Sequence, residues 1–392
     1  MNRVHLDHNA TTPMRPEARE ALLEALDSGL GNASSVHDSG RRARAAIDEA
    51  RERIGAALGV QEDEIVFTSG GTESNNLAIF GAIEAGPSDM DVITSAIEHA
   101  AVLAPVQVLE SRGRQVTRVP CDTAGRLDPG TIVERLESSP APSALISVMA
   151  ANNELGSTTD LEGLSDALGM GNGRQAGRSG IILHTDAVQL LGKRPAGGLL
   201  EWVDLATLSA HKVGGPPGVG LLLRRVGTPL GAQLHGGAQE AGVRPGTENV
   251  AAICAAARAI ELAVQETGEF AARTSALIKE LWKELSSALP NVHLNGPPLS
   301  DETRLPNTLN VSMPDAGDAR MLVTRLDLAG VEVSAGSACA SGSLEPSHVV
   351  RALGHDLQRA RSAVRMSVGR TTTKAEISTA VDRMCITLGK AS

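Results

Sequence analysis

Tyrosine is absent from the 392 residues, and the other large aromatics are confined to Trp202, Trp282, Phe67, Phe80 and Phe270. A core built on rings is thereby excluded, and apolar packing must rest on Leu, Val, Ile and Ala. The scarcity also restricts chemistry, because a flat ligand that needs a stacking partner has few choices beyond histidine. Cysteine is nearly as scarce: the four, at 121, 254, 339 and 385, form no CxxC pair and no regular spacing. That argues against both a disulfide framework and a zinc site, so free thiols and no metal are expected. Basic residues number 36 against 46 acidic ones, a formal charge of −10 spread along the chain. Such a balance argues against nucleic acid or an anionic membrane as the main partner. Neither GxxxxGK[ST] nor HExxH occurs, which removes support for an NTPase and for that type of metalloprotease. The start, MNRVHLDHNA, has no apolar h-region, and no run approaches a membrane span. A cytoplasmic protein is the expectation.

What the chain does contain is alternation. Short runs rich in β-branched residues, at 64–68, 91–95, 144–149, 181–184, 205–208 and 218–224, alternate with helical patterns at 15–28, 40–58, 74–85, 99–112 and 250–265. This predicts an α/β fold, a largely parallel sheet with helices on both faces. The length favours one large domain plus a smaller one. After residue 267 the pattern changes to helices at 270–289, 318–329 and 374–388, with strands near 292 and at 308–312. We therefore expect a large domain over 14–266 and a smaller one made of 1–13 and 267–392. The run GMGNGRQAGRSG at 169–180 lies between a helix and a strand and is expected to be a surface loop.

Five segments carry chemistry. Lys212, in SAHKVGGPPG, follows a predicted strand and is followed by glycines that let backbone approach closely. A lysine so placed can form an imine with an aldehyde, although on residue type alone a solvated lysine is the commoner outcome. Asp186 follows the strand at 181–184, at the sheet edge where α/β proteins bind ligands. There it can hold a pyridine nitrogen protonated, or it can simply cap the next helix. TSGGTESN at 68–75 joins a strand to a helix, so free N–H groups and the helix dipole favour a phosphate; capping by Thr72 or Ser74 is compatible with this. His99 starts a helix and, without tyrosine in the chain, is the obvious planar residue to stack on a cofactor and exchange protons. Cys339 sits in SAGSACASGS, a run of small residues suited to an exposed loop and unlike the setting of a core cysteine. Cys121, Cys254 and Cys385 have strand-edge or helical settings and are expected to be structural.

Taken together, LDHNATTP, TSGGTESNN, AIEHAAV, AANNELG, HTDAVQ, SAHKVGGPPGVG, HGGAQEAGVRPGTEN, SAGSACASGSLEPSHVVRALG and VRMSVGR resemble, in that order and nearly end to end, the group I cysteine desulfurases of the NifS/IscS type. These form part of the class V aminotransferase family. The resemblance implies the aspartate aminotransferase-like fold type I of pyridoxal 5'-phosphate enzymes, a mostly parallel seven-stranded sheet with a smaller α+β domain that carries the cysteine loop. It implies that Lys212 bears the cofactor as a Schiff base, Asp186 meets the pyridine nitrogen and His99 stacks on the ring. Asn153 and Gln189 would contact the phenolic oxygen. Gly71, Thr72, Ser209 and His211 would bind the phosphate, with Thr247 reaching it from the second subunit of a homodimer. Arg365 would clamp the substrate carboxylate.

The implied reaction takes sulfur from L-cysteine onto Cys339 as a persulfide, releases L-alanine and passes the sulfur to an acceptor protein such as an iron–sulfur scaffold. A transaminase or a selenocysteine lyase of the same family, or an idle assembly partner that kept the fold, are the alternatives.

Overall fold

The computed structural model describes residues 3–141, 143–170, 180–336 and 346–389. Its strands, in chain order, are β1 (Val4–His5), β2 (Ile65–Thr68), β3 (Asp91–Ser95), β4 (Val116–Val119), β5 (Ala144–Ser147), β6 (Ile181–Asp186), β7 (Leu205–Ser209), β8 (Gly220–Arg224), β9 (His293–Asn295), β10 (Thr308–Ser312), β11 (Val331–Glu332) and β12 (Ala363–Ser367). Seven of them form one sheet in the order β2-β8-β7-β6-β5-β3-β4. Only β8 runs against its neighbours there. The C-terminal ends of β3, β5, β6 and β7 therefore gather on one edge, where ligands collect in sheets of this kind.

The sheet is buried on both faces, and the alternation of side chains shows it. Ile65 and Phe67, Ala144 and Ile146, and Leu221 and Leu223 belong to one hydrophobic core. Val66, Leu145 and Leu222, one residue out of step, belong to the other. The first core is closed by the helices Asp38–Leu58 and Val250–Gln265. Ile47, Ile54 and Leu58 project from one stripe of the former, and alanines 252, 256, 257 and 263 line the latter. The second core is closed by the helix Gly71–Ala85 through Leu77, Ala78, Ile79 and Ala82. Aliphatic residues thus do nearly all the packing that the aromatic-poor composition demanded.

A separate core gathers Val4 and Leu6 with residues from Leu277 to Cys385. The antiparallel sheet β12-β10-β9 and the parallel pair β1-β11 lie in this part of the chain. Because β1 pairs with β11, Val4 opposite Val331, the residues just after it, 6–15, cross between this core and the large sheet.

Two of the departures from the expected pattern have plain physical reasons. The helix expected from 74 begins at Gly71, with Gly70 as its N-cap and no side-chain cap; Ser74 instead shares a 2.7 Å hydrogen bond with the hydroxyl of Thr68. The strand β4 is short and only partly buried, VTRV, so it carries no apolar run by which to recognise it. Residues 171–179 of the glycine-rich run lie outside the described residues. Among the described residues, no helix is long and apolar enough to cross a membrane.

Candidate active site

At the end of β6, Asp186 is 7% exposed and both carboxylate oxygens are engaged. Oδ1 accepts the N–H of Val188 at 3.0 Å, and Oδ2 accepts Nδ2 of Asn75 at 2.7 Å. The first bond is a cap, but on a turn, because no helix follows Asp186 where one was anticipated. The second leaves Asn75 Oδ1 buried without a partner among the described residues, a polar atom suited to meeting a bound group. Gly71 opens the facing helix, and a Cβ there would stand 2.9 Å from Val188 Cγ2. The missing side chain lets the helix start, with its unpaired N–H groups, approach the turn after Asp186.

Lys212 closes a single 3-10 turn, Ala210–Lys212, directly after β7. Its Nζ donates to the backbone carbonyls of Asn9 and Ala10, each at 2.7 Å. The neighbouring His211 shares a 3.2 Å bond with Thr11 Oγ1. Burial, aided by Lys212 and Lys193, pushes the His211 imidazole down to about 4, so that ring is neutral at pH 7.

His99 is the N-cap of the helix Ala100–Ser111, and its Nδ1 accepts the N–H of Ala101 at 3.1 Å. A neutral ring held this way carries its proton on Nε2. Burial lowers its pKa, Asp186 opposes the shift and Lys212 adds to it. Beside it, Glu98 is wholly buried; Oε1 accepts from Ser95 Oγ at 2.5 Å and from the N–H of Met149 at 2.9 Å, while Oε2 has no partner among the described residues. Burial pushes this carboxyl up to about 8, with the charge of Asp186 adding to the effect.

Glu98 makes stability depend on pH with a definite sign. The unfolded carboxyl ionises near 4.5 and the folded one near 8, so between these values the folded state holds the extra proton and stability falls as pH rises. Glu98→Gln, which mimics the protonated acid, should flatten that fall and leave the variant more stable than the parent at pH 9 by a few kcal/mol. Thermal unfolding from pH 5 to 9 checks this; parallel curves for the two proteins would refute it. On the acid side His8 and His184, both lowered to about 3 by burial, act oppositely: stability is lost as pH falls from 6.5 toward 3.

Arg365, in the middle of β12, is 1% exposed. Its Nη2 pairs with Asp7 Oδ1 at 2.5 Å and its Nη1 donates to the Asn153 carbonyl at 3.2 Å. Nε has no partner among the described residues. The guanidinium anticipated to clamp a substrate carboxylate is therefore already paired on one side.

Of the candidate residues, Lys212, Asp186, His99, Asn153, Gln189, Gly71, Thr72, Ser209, His211 and Arg365 line a single cavity of about 200 Å3. Thr247 does not; it is exposed, in the loop before Val250–Gln265. Cys339 lies outside the described residues, but the chain on either side of 337–345 converges on one carboxylate. A Cβ on Gly336 would stand 3.4 Å from Glu154 Oε2, and Ser347 Oγ donates to that same oxygen at 2.6 Å. The remaining thiols are poor nucleophiles: burial pushes Cys121 up to about 11 and raises Cys254, and Cys385 is buried.

Two polar lining residues, Asn75 and Asn9, had no role assigned from the sequence. Asn9 is a hub. Its carbonyl accepts from Lys212 and from Gln189 Nε2 (2.9 Å), its N–H donates to Ser367 Oγ (2.9 Å), and its Nδ2 donates to Thr308 Oγ1 (2.8 Å) and to the Asn153 carbonyl (3.1 Å). Both residues stand inside segments that had been singled out, TSGGTESNN and LDHNATTP, and a side-chain amide there was the available signal.

A family model described as aminotransferase class V matches residues 4–379. The chain belongs to the class V aminotransferase family. Within that family it is 43% identical over 380 residues to the cysteine desulfurase IscS of Dictyoglomus turgidum, covering 97% of this chain and 93% of that protein. A solved structure of a NifS-like protein superposes with a TM-score of 0.87 at 34% identity, covering 97% of this chain and 98% of the other. A second, described as SspA in complex with cysteine, gives 0.76 at 31% identity over 93% and 98%. Class V aminotransferases of this kind are pyridoxal phosphate enzymes of fold type I, and the mostly parallel seven-stranded sheet is the architecture they share.

Proposed function

We propose that the protein is a cysteine desulfurase: it binds pyridoxal 5'-phosphate on Lys212, moves the sulfur of L-cysteine onto Cys339 and releases L-alanine. The observation that carries this reading is the convergence of Lys212, Asp186 and His99 on one cavity with Arg365, in a chain so similar to a named desulfurase.

The donor set fits the cofactor. Lys212 supplies an amine for its aldehyde, Asp186 a buried carboxylate for its pyridine nitrogen, and His99 a flat face for its ring. Asn153 and Gln189 offer amides to the phenolic oxygen, and the helix start at Gly71 and Thr72, with Ser209 and His211, suits a phosphate. When bound, the cofactor supplies an electron sink for charge developing on the substrate α-carbon.

Everything else falls to side chains. The Lys212 amine, which would hold the cofactor, is also the base that would take the α-proton of the substrate. His99, protonated on Nε2, is the neighbouring group able to give and regain a proton. Arg365 orients the substrate carboxylate through the donors that Asp7 and Asn153 leave over. The Cys339 thiolate attacks the substrate sulfur; the new S–S bond forms as the substrate C–S bond breaks, leaving a persulfide and an alanine skeleton.

The separate cores support two domains, 14–266 and 1–13 with 267–392, the second carrying Cys339. The exposed Thr247 fits a phosphate contact across a homodimer. An acceptor protein, such as an iron–sulfur scaffold, would take up the persulfide sulfur, and the cytoplasm is the compartment. Incubation of the pyridoxal phosphate-loaded protein with L-cysteine should yield alanine, and mass spectrometry should find one added sulfur on Cys339. Consumption of an added keto acid without alanine formation would favour a transaminase instead.

A further inference from the structure

Behind the cavity lies another lysine, and this one is buried. Lys193 is 4% exposed, and its side-chain partners among the described residues are both amide oxygens. Nζ donates to Asn9 Oδ1 at 3.1 Å and to Gln189 Oε1. Leu190 and Leu191 both donate their N–H groups to the Ala187 carbonyl, and Lys193 and Arg194 theirs to that of Leu190. This tight turn after Asp186 brings Gln189 and Lys193, four residues apart, into contact.

An amine facing two oxygens must donate to both, which decides how each amide is turned. Gln189 then has Oε1 committed to Lys193 and Nε2 directed elsewhere. One Nε2 hydrogen goes to the Asn9 carbonyl at 2.9 Å, and the other remains for the cavity that Gln189 lines. Without Lys193, the Asn9 carbonyl alone would hold the amide in this orientation, one contact in place of two.

We propose that Lys193 is a positioning residue that locks the Gln189 amide with its N–H toward the phenolic oxygen of the cofactor. The inference rests on the reading of the cavity as a pyridoxal phosphate site. The lock needs only a donor, so it survives if Lys193 is uncharged, and burial together with Lys212 and Arg365 does drive its pKa well below the ordinary value. The charged and titratable groups facing it are Lys212, Arg365, His8 and His211.

The Schiff base on Lys212 reports the lock. A hydrogen bond to the phenolic oxygen reduces the basicity of that oxygen and hence its hold on the imine proton, so losing the bond raises the imine pKa. Titrating cofactor absorbance against pH in the loaded protein, without substrate, should show Lys193→Met raised by about one pH unit. Lys193→Arg, which keeps the donor, should titrate like the parent; if Lys193→Met yields no soluble protein, Lys193→Leu, which also lacks a donor, takes its place with the same expected rise. Gln189→Leu should show a similar rise, and the double variant should add little to it, because both changes remove one interaction. A Lys193→Met protein that titrates like the parent, or shifts that simply sum in the double variant, would overturn the assignment. A parent protein with no imine absorbance would overturn the cofactor reading as well, which keeps the two failures apart.

Discussion

Lys212→Ala should abolish the imine absorbance of the loaded protein and reduce alanine release from cysteine by at least about a thousandfold. Loss of a positioned acid–base group alone costs on the order of 10² to 10⁴ in rate, and here the covalent attachment disappears with it. The variant should still fold. It gives up two hydrogen bonds from Nζ, to the carbonyls of Asn9 and Ala10, worth about 1 to 3 kcal/mol each when a charged donor is involved. The Asn9 carbonyl keeps its bond from Gln189. Absorbance spectra and alanine assays on folded protein check this, and a variant that retained both signals would remove Lys212 from the proposed chemistry.

Cys339→Ser should do the reverse, keeping the imine absorbance while protein-bound sulfur falls to background. No other thiol is positioned to compensate. With Cys121 pushed up to about 11 by burial, on the order of one molecule in ten thousand carries its thiolate at pH 7; Cys254 is shifted in the same direction and Cys385 is buried. A loss of two or more orders of magnitude in persulfide, read by mass spectrometry after exposure to cysteine, is therefore expected. Sulfur appearing on Cys121 in the variant would refute the assignment of the nucleophile.

Much of this site could be read from the sequence because its residues sit where strands end. Asp186 and Ser209 terminate β6 and β7, and Lys212 and His99 follow within a few residues of β7 and β3. Alternation of apolar runs marks those ends, and β5, β6 and β7, buried along their whole length, are the strands such runs reveal best. The strand β4 escaped because an edge strand need not be apolar. Asn9 escaped for a different reason. An amide's role depends on what faces it, and its partners Asn153, Gln189, Lys212, Thr308 and Ser367 lie far along the chain, brought together by packing that no local pattern encodes. Similarly, the pairing of Arg365 with Asp7 spans nearly the whole sequence and was invisible to spacing.

The bonds of Asn9 also set a timetable. Ser367 lies 358 positions further along the chain, and Thr308 lies 299. During synthesis Asn9 leaves the ribosome well before Thr308 and Ser367, while Asn153, Gln189 and Lys212 emerge in between. The strands around Asp186 and Lys212 can pair well before then, since domains generally fold as units while the chain is still growing. The pocket therefore stays open on one side until the segments carrying Thr308 and Ser367 have been made. Pyridoxal phosphate capture by a nascent chain should accordingly be weak until Thr308 and Ser367 have emerged and tighten once they have.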